Sequence, residues 1–138
     1  MNHKILTVVI AAASLTAGAA LAADKLDASK LPPAATATGV TYAKDIKPIF
    51  EKSCVKCHSG DKAKAKLHLD SLEGALKGGK EAPDIVVGKS GESKLVFAVA
   101  HVGDSDDFMP PPDNKVNIGP LTPAEVGLLR AWIDQGAK

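Results

Sequence analysis

Both cysteines of this 138-residue chain stand in one stretch, KSCVKCHSG, as Cys54 and Cys57, and His58 follows directly. Two thiols one helical turn apart can each add across a vinyl group on the same edge of a porphyrin. The next residue then lies under the iron and can donate a ring nitrogen. C-x-x-C-H is the attachment pattern of c-type haem. The spacing therefore predicts one covalent haem c, held by Cys54 and Cys57, with His58 on the iron. Other chemistries fit less well. A structural zinc site takes four ligands; the stretch supplies three, and His68 or His101 would have to complete the set. A redox dithiol matches the spacing but leaves His58 without a task and lacks a βαβ context. A disulfide across two residues closes so small a loop that it stabilises little.

A haem with one protein ligand leaves its sixth position to be filled. Apart from Met1, the chain has a single methionine, Met109, in DDFMPPPDN. A lone methionine usually fills core space, but one followed by three prolines in a polar loop is poorly suited to that. Pro110 restricts Met109 to extended backbone and the prolines fix their own φ, which makes a stiff strap holding one thioether at a set depth. Met109 is the expected sixth ligand, and a His/Met pair raises the potential. His101, His68 or an open position are the alternatives. Asp104, Asp106 and Asp107 read as a solvated loop, with a calcium site as the other reading.

The N-terminus has a different task. Residues 1–22 begin with one lysine, continue as an apolar run from Ile5 and close on Ala20-Leu21-Ala22. That is the layout of a secretory signal, cleaved after Ala22; an uncleaved membrane anchor is the alternative. Export to the periplasm follows. Residues 23–39 lack periodicity, and Pro32-Pro33 with the Ala/Thr run read as a flexible linker. The domain is expected over residues 40–138.

Within it the pattern is helical. Tyr42, Ile46, Ile49 and Phe50 recur at helix spacing and lead into Cys54, with Asp45 as cap and Pro48 in the first turn. LHLDS looks extended; Ser71 then caps a short helix, LEGALK, stopped by Gly78-Gly79. A third helix runs from Ser93 to about Val102. The last is the best signalled: Thr122 and Glu125 form a capping box around Pro123, and Leu121 with Val126 a hydrophobic staple. Val126, Leu129, Trp132 and Ile133 supply its buried face. No internal repeat and no β-ladder emerges. Aromatics make up only 4% of the chain, in keeping with a porphyrin supplying apolar bulk.

Charge divides the chain. Lys44 to Lys80 holds nine lysines against five acids, whereas Glu81 to Lys138 holds five basic residues against nine acids. Without residues 1–22 the charges balance at 16 each, which leaves no dense basic patch for nucleic acid. Lys52, Lys56, Lys62, Lys64 and Lys66 flank the haem motif, and predict a partner with an acidic docking face.

The chain resembles the small class I cytochromes c, and more closely the planctomycete-type cytochrome c domains. The matching pieces, in order, are DIKPIFEKSCVKCHSG, KLHLDSLEGALKGG, ESKLVFAV, MPP and LTPAEVGLLRAWIDQGA. The resemblance implies an all-α domain, a small cytochrome c fold of about four helices around one covalent haem, with the first and last helices crossing near Phe50 and Trp132. It carries Cys54, Cys57, His58 and Met109 over as haem residues. His68 departs from the arginine frequent in the family's LRLDS, and Val87 from the proline usual before Gly88. Related domains are often fused to larger partners; here the domain is expected to stand alone. The expected function is a periplasmic mono-haem one-electron carrier, monomeric, not an enzyme, working with redox protein partners and with no stable membrane span after signal cleavage. The alternative is a haem domain with a labile sixth ligand, acting on peroxide or sensing a small gas.

Overall fold

The computed structural model describes residues 26–138. The secretory signal expected over residues 1–22 lies outside them. Among the described residues there are four α-helices and no strand: α1 (Lys47–Ser53), α2 (Leu72–Lys77), α3 (Lys94–Ala100) and α4 (Pro123–Asp134). The protein is all-α, as its periodicity predicts. No helix among these residues is long and apolar enough to cross a membrane.

α1 begins differently from the expectation. A wide π-turn, Tyr42–Ile46, precedes it, and Thr41 is the N-cap, its hydroxyl accepting from the Lys44 N–H. Asp45 is not the cap; its carboxylate accepts from the Thr41 N–H at 2.8 Å. The arrangement is a capping box opened by one residue: the Thr41 hydroxyl accepts from the third residue on, Lys44, and the carboxylate that answers it comes from the fourth, Asp45. Pro48, which has no N–H to give, sits at the start of α1.

α2 and α4 match their sequence signals. The Ser71 hydroxyl accepts from Gly74 N–H, and Gly78 ends α2 at φ 74°. Thr122 and Glu125 close a capping box in both directions, and Leu121 and Val126 are both buried. α3 is shorter than expected because His101 turns left-handed (φ 53°) at its end.

The core gathers where α1, the π-turn and α4 meet. Phe50 and Trp132 are completely buried and pack edge-to-face, 6.5 Å between centroids at 88°. Tyr42 lies 6.1 Å from Trp132, and its hydroxyl donates to the Leu69 carbonyl. The first and last helices thus meet at Phe50 and Trp132.

The segment expected to be a flexible linker differs most. Leu31 is buried. The Ala35 N–H donates to the Gly127 carbonyl at 2.9 Å, Arg130 Nη1 to the Pro32 carbonyl, and Gln135 Nε2 to the Ala37 carbonyl. The chain from Leu31 onward is laid against α4, so the packed structure begins before Val40. Prolines and small residues give no periodicity, yet their carbonyls and one leucine are enough to dock an extended segment.

Glu125 makes the acid response of α4 testable. The Lys52 ammonium, 2.8 Å away, and the Thr122 N–H hold its carboxyl below the usual value of 4.5. A depressed folded value stabilises the protein above the unfolded value, and that contribution disappears as pH falls through the folded one. Most of it belongs to the cap, because Lys52 is largely exposed and solvent screens the pair. Glu125→Ala, which removes the acceptor that a glutamine would keep as well as the charge, is expected to lower stability at pH 7 by about 1 kcal/mol, the usual net worth of such a hydrogen bond, and to flatten the loss of stability below pH 4. Urea melts at several pH values measure both; equal acid sensitivity in the two proteins would contradict the assignment.

Candidate haem site

The turn that follows α1 builds one wall of the site. The Cys54 N–H still bonds to the Phe50 carbonyl, at 2.8 Å, after which Cys57 and His58 both donate to the Cys54 carbonyl at 3.0 Å. This tight turn brings Cys54, Cys57 and His58 onto one cavity. Two bonds fasten the next loop to it: Lys64 N–H to the Cys57 carbonyl (2.9 Å) and Leu69 N–H to the His58 carbonyl (2.8 Å). Leu67 and Leu69 are thereby held on the cavity wall.

α3 and the loop after it build the opposite wall. Leu95, Phe97 and Val99 of α3 line the cavity. Met109 reaches it from the proline loop, and its N–H bonds at 3.0 Å to the Ala98 carbonyl of α3. A residue 51 positions from His58 is thus brought to the same space, tied to a rigid element rather than left on a free loop. The cavity measures about 760 Å³, within the size range of cofactor sites, about 300–1,000 Å³.

The polar groups at this apolar space fit a group that would use them. The two cysteines are unpaired. Burial, helped by Cys57, pushes the Cys54 thiol up to about 12, so it stays protonated and inert to disulfide exchange. His58 is 8% exposed, and its Nδ1 is buried without a hydrogen-bond partner. Burial pushes its pKa below the ordinary value; the neighbouring Lys64 and Leu67 backbone pushes back, though neither closes a hydrogen bond. A neutral imidazole is the form that binds iron.

The other histidines lie elsewhere. His101 does not line the cavity; it stacks on Phe108, 4.5 Å between centroids and 10° from parallel. His68 lies 4.0 Å from Asp70 on a separate surface hollow with Lys66 and Lys77. Asp104 caps a short 3-10 turn, Ser105–Asp107, and among the described residues no three His, Cys, Asp or Glu side chains cluster to hold a metal ion.

Two features of the site escaped the sequence. None of Lys52, Lys56, Lys62, Lys64 or Lys66 lines the cavity; the charged residues that do are acids such as Asp84 and Asp107, with Lys30 and Lys94. Leu26, Asp27 and Lys30, from the supposed linker, also line it. No periodicity marks them: Leu26 and Leu31 are the two large apolar residues of the segment, five positions apart.

No curated protein and no solved structure matches the chain. A family model, planctomycete cytochrome C, matches residues 54–113, a span that starts at Cys54 and includes Met109. Over these residues the chain is similar to a planctomycete-type cytochrome c domain.

Proposed function

We propose that the protein is a periplasmic mono-haem electron carrier, with the haem attached through Cys54 and Cys57 and its iron ligated by His58 and Met109. The observation that carries this reading is the convergence of these four residues, from two distant stretches of a cytochrome c domain, on one apolar cavity. The haem would supply one-electron exchange between ferric and ferrous iron. The chain does the rest. Cys54 and Cys57 fasten the porphyrin edge, His58 presents a neutral imidazole from a turn locked on the Cys54 carbonyl, and the tie to Ala98 holds Met109 at its depth. Apolar walls keep water away, which together with a thioether ligand favours the ferrous state and raises the potential.

A carrier needs no substrate site and only brief encounters with its redox partners. The exposed lysines Lys62, Lys64 and Lys66 stand on the loop fastened to Cys57, which supports an acidic face on a partner that approaches from that side. The signal-like residues 1–22 support export, and thioether bonds suit an oxidising compartment because they cannot be reduced like disulfides.

Met109→Ala tests the ligation. The oxidised wild-type protein is expected to show the weak red charge-transfer band of sulfur–iron ligation. The variant is expected to lose the band, show a lower potential and bind carbon monoxide rapidly when reduced. A wild type that lacks the band and binds carbon monoxide as fast as the variant would favour the open-site reading, peroxidase-like or gas-sensing, over the carrier.

A further inference from the structure

The segment before residue 40 meets the molecule at three glycines. A Cβ on Gly127, inside α4, would stand 2.7 Å from the Pro33 carbonyl oxygen. Glycine within a helix costs about 1 kcal/mol relative to alanine, and here it leaves room for a backbone to lie directly on the helix. The Ala35 N–H to Gly127 carbonyl bond fastens the same crossing. Earlier in the segment, a Cβ on Gly91 would touch Ala28 Cβ at 3.4 Å, and one on Gly103 would stand 2.9 Å from Leu26 Cδ2. Gly91 precedes α3 and Gly103 follows it, so residues 26–28 run beside α3, the helix that forms one cavity wall. The short 3-10 turn Ala28–Lys30, capped by Asp27, then leads to the buried Leu31.

Leu26, Asp27 and Lys30 all line the cavity, although they lie outside the matched span of residues 54–113. Asp27 and Lys30 stand 3.9 Å apart and largely cancel as charges, so the main effect of the segment there is to displace water. Excluding water from one side of an iron centre lowers the local dielectric and disfavours the extra positive charge of the ferric state.

We propose that Leu26–Leu31 is a wall of the haem site, docked through α4, that excludes water from one edge of the cavity and holds the reduction potential up. This rests on the haem-binding reading above. Two variants of the intact haem-loaded protein test it. Leu26→Ser removes apolar cover at a partly exposed position and leaves the core alone. Gly127→Ala pushes the segment off α4 without touching the cavity, and hydrogen exchange at the Ala35 amide reports whether it has moved. Both are expected to retain covalent haem after acid-acetone extraction and to shift the potential downward, with faster exchange at Ala35 in Gly127→Ala. An unchanged potential in Leu26→Ser, or in Gly127→Ala with a freely exchanging Ala35 amide, overturns the proposal. Wild-type protein that yields all its haem to the solvent overturns the haem-binding reading itself, and the proposal with it.

Discussion

With Cys54 and Cys57 both replaced by alanine, all haem is expected to leave the protein in acidified acetone, whereas none leaves the wild type. Each thiol can close one thioether, so either single variant is expected to keep the haem by the remaining bond. The double variant loses more than a tether. A cavity of about 760 Å³ walled by leucine, valine and phenylalanine would lose its apolar filling or take it up only weakly. Such space is costly in a protein interior, which otherwise packs like an organic crystal. The variant is therefore also expected to unfold at a lower urea concentration than the wild type. Mass spectrometry of the intact chain checks the covalent mass directly. Haem still attached in the double variant would mean that another side chain holds it, and the assignment of the two cysteines would fail.

Trp132→Ala is expected to cost about 3–5 kcal/mol, the usual loss when a large buried aromatic is truncated. A small domain has only about 5–15 kcal/mol in all. Trp132 is fully buried between Phe50 and Tyr42, and its indole N–H donates to the main-chain oxygen of Lys138 at 3.0 Å. Removing it opens a void where α1, the π-turn and α4 meet, and leaves that oxygen with the Tyr42 N–H as its remaining donor. Because Trp132 does not line the cavity, whatever protein remains folded should keep the wild-type haem spectrum. Urea melts followed in the haem band and by circular dichroism measure the loss. Val87→Ala, at a 52% exposed position away from the cavity, is the control and should change stability by no more than about 0.5 kcal/mol. A Trp132→Ala loss as small as that would contradict the central role of the aromatic cluster.

What the sequence determined by itself was local. Thr122-Pro123-x-Glu125 and Ser71 ahead of LEGALK specify helix starts because a cap and the N–H it satisfies lie within three residues of each other. The spacing of Cys54, Cys57 and His58 is likewise contained in a single turn, so the chemistry of the motif is legible without a fold. Met109 was legible for another reason: after Met1 the chain offers one thioether, and the prolines announce a stiff loop. What decided the rest was contact between residues far apart. That Met109 shares a cavity with His58 while His101 turns aside onto Phe108 goes with α3 ending at Ala100, two residues before Val102, in a left-handed His101. The π-turn ahead of α1 puts the capping residue at Thr41 rather than Asp45, because one wide backbone turn, which no side-chain pattern announces, extends the helical segment back to Tyr42. The supposed linker became part of the structure because its partners, Gly127 and Arg130, lie about a hundred residues away. An extended segment of prolines and alanines has no periodicity to read. It is ordered by the surface it meets, and only the folded chain brings that surface to it.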